Sequence, residues 1–183
     1  ILKSKLLWLV LCATFISAAC TATQTTSAGA VGVEREQSML LSSDKVNRSA
    51  EQAYQKTIAA AQKKNSLNRD PVSVQRVLGI SARLIPKTAV FRSDAPKWRW
   101  EVNVISSKEL NAWCMPGGKM AVYTGLLERL DLSDDELAAV MGHEIAHALR
   151  EHGREKAGQA AGIGLASAIG GALIGAYFGV DPG

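Results

Sequence analysis

His143, Glu144 and His147 stand in the spacing His-Glu-x-x-His, and that spacing has a chemical use only on an α-helix. Residues four apart lie about 40° apart around a helix and one turn apart along it, so two imidazoles can meet at one ion. The flanking residues predict that helix. Ser133 followed by Glu136 is a capping box, and Asp134 and Asp135 favour the positive end of the helix dipole. Leu137, Val140, Met141, Ile145, Ala148 and Leu149 recur as one wide apolar face. The helix is expected to run to about His152, with Gly153 as its stop.

Paired imidazoles one turn apart suit zinc, one ion per chain. Glu144, beside the first imidazole, reaches a water on the metal rather than the metal. It would take a proton from that water and return it to a leaving amine, while the ion polarises the scissile carbonyl. His143 and His147 are therefore the expected ligands and Glu144 the expected catalytic base, in a zinc hydrolase. A metzincin would need Gly at position 150 and His at position 153; Arg150 and Gly153 exclude it. A gluzincin takes a Glu from a second helix. Glu151, if on the same helix, lies about 12 Å along the axis from His143 and cannot converge with both rings. Glu155 is a poor candidate just past the helix end, and His152 reads as a charge partner of the helix C-terminus.

Upstream, two helical periodicities cover 43–64 and 72–85, the second ended by Pro86. Residues 98–105 then switch to period two: Trp98, Trp100, Val102 and Val104 alternate with Arg99, Glu101 and Asn103. Short strands are expected at 111–114 and 119–124, joined by a Pro116-Gly117-Gly118 turn. The expected fold is α+β and zincin-like: helices around a small antiparallel sheet, with an active-site helix bearing the histidines. Cys114, beside the turn, reads as a small buried residue.

The first residues read as a targeting segment. Lys3 and Lys5 precede an apolar run, Leu6 to Ile16, that is short for a bilayer span. Small residues, with Ser17 where the usual lipobox has Leu, then Ala18 and Ala19, lead to Cys20, which lipoprotein processing would acylate. Cleavage after Ala19 or Ala22 to give a soluble exported protein is the other reading. Residues 1–19 are thus expected to be a signal peptide, 20–42 a tether and 43–183 a metalloprotease domain, incomplete at its C-terminal end. Thr21 after the cysteine favours an outer-membrane position facing the periplasm. Residues 157–180 carry no charge and are rich in Gly and Ala. They read either as a segment packed within protein or as one that contacts membrane. Lys3 and Lys5 supply half of the net charge of +4, and no basic patch interleaved with aromatics remains, so no nucleic-acid partner is expected.

Three strings carry a resemblance: Asn111 to Gly118 (Asn-Ala-Trp-Cys-Met-Pro-Gly-Gly), Tyr123-Thr124-Gly125, and Gly142 to Gly153 around the histidines. Together they resemble the HtpX-like zinc metalloproteases, relatives of the CAAX prenyl proteases. With the lipobox-like start the chain is most similar to the LoiP-type outer-membrane lipoproteins among them. The resemblance implies a gluzincin endopeptidase that clears misfolded or misassembled envelope proteins, held to the membrane by a lipid anchor. It implies zinc ligation by His143 and His147, catalysis by Glu144, and an edge strand at Asn111 and Ala112 that pairs with substrate backbone. It also implies a third ligand, a Glu beyond residue 183. The competing reading is a non-proteolytic envelope chaperone or assembly lipoprotein with an incomplete metal site.

Overall fold

The computed structural model describes residues 22–30 and 32–160; Cys20, the signal segment and 161–180 lie outside the described residues. In chain order the elements are β1 (Ala22–Thr23), β2 (Gln37–Ser38), α1 (Ser43–Lys63), α2 (Pro71–Leu84), β3 (Glu101–Ile105), β4 (Ala112–Met115), β5 (Lys119–Tyr123), α3 (Thr124–Arg129), α4 (Asp134–Leu149) and α5 (His152–Ala160). Two 3₁₀ segments, Ile85–Val90 and Ala95–Lys97, link α2 to β3. Pro86 therefore does not end in coil: it tightens the helix into 3₁₀ turns.

α1 starts where Ser42 accepts from the amide of Lys45, and α2 where Asp70 accepts from those of Val72 and Ser73, with Pro71 at the first helical position. The sheet lies between two helical layers because its central residues alternate between two cores. Ala112 and Cys114 of β4, with Met120 and Val122 of β5, face α2 and α4. Trp113, Met115, Ala121 and Tyr123 face α1 through Val46, Ala50 and Tyr54. The expected period-two stripe also holds: Trp98, Trp100, Val102 and Val104 all pack on the first core, although the strand itself begins only at Glu101.

The sheet is mixed, not the antiparallel meander expected. Its order is β3-β5-β4, with β4 antiparallel and β3 parallel to β5. β4 and β5 form the hairpin that Pro116-Gly117-Gly118 promised, but the chain leaving β3 crosses the end of β5 before entering β4. Ile105 pairs with Tyr123 and Ala112 with Val122, so the crossing segment 106–111 spans one end of the sheet. It rests on the start of α3. Ser107 O accepts from Gly125 N at 2.7 Å and from Thr124 Oγ1 at 3.1 Å. A Cβ on Gly125 would sit 2.4 Å from Glu109 O. Composition alone cannot distinguish this crossover from a meander, since both use a six-residue polar loop.

The segment expected as a tether packs on the domain over its described part. β1 and β2 pair antiparallel, Ser27 N donates to Phe91 O at 2.9 Å, and Gln37 is buried. Its Thr, Ser and Gly content resembles a linker, but a few hydrogen-bonding side chains hold it.

Candidate active site

α4 is fixed at its start by the box read from sequence. Ser133 Oγ accepts from Glu136 N at 3.3 Å, and Glu136 Oε2 accepts from Ser133 N at 2.8 Å. Arg76 of α2 clamps this end, donating to Asp134 Oδ1 at 2.7 Å and to Leu132 O. Leu137, Met141, Ile145, Ala148 and Leu149 are buried and set the helix rotation. His143, Glu144 and His147 are thereby left on the accessible side, His143 exposed and the other two half-buried.

The two imidazoles meet. Nε2 of His143 and Nε2 of His147 are 3.0 Å apart, with ring centroids 4.6 Å apart and planes at 86°. Two nitrogen ligands of one tetrahedral zinc ion, each about 2.1 Å from it, stand about 3.4 Å apart. The pair therefore fits such an ion with a few tenths of an ångström of adjustment. Among the described residues, no third His, Cys, Asp or Glu joins them in a group that could hold a metal.

Burial raises the pKa of Glu144 above the ordinary carboxylate value, and the neighbouring His143 opposes the rise. A carboxylate so raised is a better proton acceptor near neutral pH. Its charge also helps burial to push the Cys114 thiol upward, so Glu144 lies near β4. Cys114 itself is free and fully buried, as its sequence reading has it, and the raised thiol is unreactive. β4 is one of the two edge strands of the sheet, β3 being the other. Ala112 opens it and is 9% exposed, while Cys114 and Met115 expose nothing, main chain included. Asn111 precedes the strand, half-buried, and its carbonyl accepts from Tyr123 N at 3.0 Å. All four β4 residues are buried, and Asn111 just before the strand keeps partial exposure.

α4 ends earlier than its sequence suggests. Leu149 is its last residue, and Gly153 lies inside α5 rather than at a stop. The chain reverses at Glu151, which takes φ +51°, a left-handed backbone usually left to Gly. Two ion pairs hold it there: Arg92 at 2.7 Å and Arg154 at 2.8 Å. Glu151 is therefore off the helix and engaged elsewhere. Glu155 is also engaged. It is buried, and it accepts from Arg35 at 3.0 Å and Gln37 at 2.9 Å. The reversal carries His152 back to the site, with Nδ1 2.6 Å from Nδ1 of His147. It is not a helix-end charge partner.

Arg92, Gln37 and Lys119 escaped the sequence reading. Each is a polar residue in a stretch without periodicity, or with the wrong one. Lys119 is 2% exposed in the middle of the sheet, donating to Arg99 O at 2.7 Å and to Glu101. A cavity of about 750 Å³ opens between α1, the 92–99 segment, the Gly117 turn and the end of α4. Its lining reaches Ala148 and Glu151 but none of His143, Glu144 and His147.

A small sheet between helices, with paired imidazoles and a carboxylate raised by burial on one helix, is consistent with a metallopeptidase domain. Comparison with known proteins agrees: the model of peptidase family M48 matches residues 76–179, more than half of the chain, and the chain belongs to that family. It is similar to the mitochondrial metalloendopeptidase OMA1 of Arabidopsis thaliana, 49% identical over 53 residues, which are 29% of this chain and 11% of that protein. It is similar to the metalloprotease YcaL of Escherichia coli, 37% identical over 49 residues, 27% of this chain and 18% of that protein. The beta-barrel assembly-enhancing protease of the same organism is 29% identical over 86 residues, 47% of this chain and 16% of that protein. The matched segments make up less than a fifth of each of these relatives.

Proposed function

We propose that the chain carries the catalytic helix of a zinc-dependent endopeptidase of the cell envelope, acting on misfolded or misassembled periplasmic and outer-membrane proteins. The observation that carries the reading is the pair of Nε2 atoms 3.0 Å apart with a raised carboxylate beside them. His143 and His147 would hold the ion, with the Glu that the resemblance implies as third ligand. When bound, zinc polarises the scissile carbonyl and acidifies water. Glu144 takes a proton from the attacking water and passes it to the leaving amine. In this reading Ala112, at the start of β4, offers main-chain groups to an extended substrate, and Asn111, whose carbonyl is taken by Tyr123 N, flanks it. Pairing through main chain reads no side chains, which suits an enzyme that meets many unfolded partners.

The envelope assignment rests on the Ser-Ala-Ala-Cys start and on the two bacterial relatives, one of them named for β-barrel assembly. In this reading Cys20 is acylated and the protein is a LoiP-type lipoprotein facing the periplasm. The test uses the full-length gene product. Metal content and cleavage of an unfolded protein are measured for the wild type, for Glu144→Gln and after chelation. About one zinc per chain is expected, with cleavage reduced at least a hundredfold by Glu144→Gln and restored by zinc after chelation. Equal cleavage by wild type and Glu144→Gln overturns the mechanism. Loss of detergent-phase partitioning in Cys20→Ser checks the anchor.

A further inference from the structure

We propose that the cavity between α1 and the 92–99 segment is a binding site for a phosphate ester, free or as a lipid headgroup. None of His143, Glu144 and His147 lines it, so the site stands apart from the peptidase reading and does not fall with it.

The first observation is that every carboxylate lining the cavity is already answered. Asp94 accepts from Arg92 and from the Trp98 indole, both at 3.0 Å. Glu151 accepts from Arg92 at 2.7 Å and from Arg154 at 2.8 Å. Glu51 accepts from Gln55 at 3.0 Å and faces the Lys119 ammonium at 3.7 Å. These pairs occupy two of the five cations of the lining, Arg92 and Lys119.

The second is that the other three cations are unanswered. Arg48, Lys97 and Arg99 line the same space and are exposed. Among the described residues their side chains make no hydrogen bond or ion pair. Glu101, the acid nearest Arg99 in the chain, is bonded to Lys119. The three cations also come from separate segments. Arg48 belongs to α1, Lys97 ends the second 3₁₀ segment, and Arg99 stands two residues before β3. A solvated helix face or a basic tail would place its charges along one segment. Here the fold sets them around one cavity, with no free carboxylate among them.

The third is the match of this lining to one chemistry. A phosphate monoester offers three terminal oxygens and about −1.5 to −2 charges near neutral pH. The guanidinium fork pairs with such oxygens two at a time, and an ammonium adds a point charge. A single carboxylate has two oxygens and one charge, too few for three cations. An acidic peptide spreads its charges along an extended chain, at about 3.3 Å per residue, whereas these cations surround one space. The cavity, about 750 Å³, has the size of a small-molecule site. Trp98 and Pro116 give it apolar wall for the carbon skeleton of the ester.

The experiment uses the full-length gene product with Cys20→Ser as background, so that no acyl chain contributes. Calorimetry titrates it with glycerol 3-phosphate, and cosedimentation tests vesicles of phosphatidylcholine with and without phosphatidic acid. The cavity variant is Arg48→Gln/Lys97→Gln/Arg99→Gln. The control, Lys56→Gln/Arg83→Gln/Lys87→Gln, loses the same charge at exposed positions outside the cavity. Saturable binding is expected, weakened at least about tenfold in the cavity variant and by less than about twofold in the control. Vesicle binding that needs phosphatidic acid and is lost in the cavity variant assigns the site to a headgroup. Binding of glycerol 3-phosphate without vesicle binding assigns it to a soluble ester. Circular dichroism checks folding, and the three single variants, each expected to weaken binding, replace the triple one if it does not fold. No saturable binding of either probe overturns the inference, as does an equal loss in cavity variant and control. Polyglutamate bound more tightly than glycerol 3-phosphate, and released by the cavity variant, would make this an acidic-peptide site and overturn the phosphate assignment.

Discussion

Arg92 and Glu151 join the segment before the sheet to the turn after the site helix, with Nη1 of Arg92 2.7 Å from Oε1 of Glu151. Arg92 is itself oriented from two sides. It pairs with Asp94 at 3.0 Å and lies over the Trp98 ring at 5.0 Å, and Trp98 stacks on Trp100. The consequence is a left-handed Glu151 where a glycine would be easier. The chain accepts that backbone cost because the carboxylate answers two guanidinium groups at once. Replacing Glu151 by Gln should therefore destabilise the domain by about 1–3 kcal/mol, since both side chains lie mostly out of solvent. Glu151→Gly relieves the backbone but removes both pairs, so it should also destabilise. Urea unfolding measures both, and an unchanged midpoint in Glu151→Gln would show that the pairs contribute nothing.

Gln37 offers a test of whether residues 22–41 are strap or tether. Its amide bridges Arg150 O and Glu155 Oε2, both at 2.9 Å, and its Oε1 accepts from Thr25 at 2.8 Å. Gln37→Ala leaves a buried carboxylate and a part-buried carbonyl each short of a partner, a loss of about 1–3 kcal/mol. Limited proteolysis should then cut between residues 22 and 41 faster than in the wild type. Cleavage there at the same rate in both proteins would mean that the segment is loose already.

The glycines divide by what surrounds them. Gly125→Ala would drive a Cβ into the main chain of Lys108 and Glu109, at 2.4–2.6 Å, where no side chain can move aside. It should cost about 3 kcal/mol or more, as overpacking against rigid atoms does. Gly142 lies inside α4 with nothing within 4 Å of an added Cβ, so Gly142→Ala should stabilise by about 0.5–1 kcal/mol through helix propensity. Thermal melting of the two variants should move in opposite directions.

The contrast explains what could be read from the sequence. The start of α4 was legible because capping and periodicity are local: Ser133 with Glu136 acts within one turn, whereas the Asp70 cap of α2 went unread. The approach of His143 to His147 was legible for the same reason. The parallel pairing of β3 was not, since β5 enters the sequence 14 residues after β3 ends and only the crossover at Gly125 decides the order. The end of α4 was misjudged because Gly153 is a strong local stop signal. The reversal at Glu151 depends instead on Arg92, 59 residues upstream. His152 was legible as a residue but not as a partner of His147, because that contact exists only once the chain has turned at Glu151.

Acid should act on the sheet through Glu101. The hydrogen bond from Lys119, ahead of the attraction of its charge, holds the Glu101 carboxyl below its ordinary value of 4.5. Lys119 is nearly inaccessible, and it also contacts the Tyr54 ring at 5.8 Å. A carboxyl with a lowered pKa in the folded state binds fewer protons there than when unfolded. Its contribution is therefore present above pH 4.5 and is lost as pH falls through the lower folded value. Asp94, lowered from 3.8 by Arg92, follows the same direction further into acid, as do the helix-capping Asp70 and Glu136. The useful measurement is thus a difference between two proteins. Lys119→Met removes the cation that lowers Glu101 and leaves Asp94, Asp70 and Glu136 with their partners. Its urea midpoint should fall less steeply than that of the wild type between pH 5 and 3.5, and should start lower at pH 7, where the wild type still has the pair. Parallel curves across that range would mean that Lys119 does not lower the proton affinity of Glu101 in the folded state.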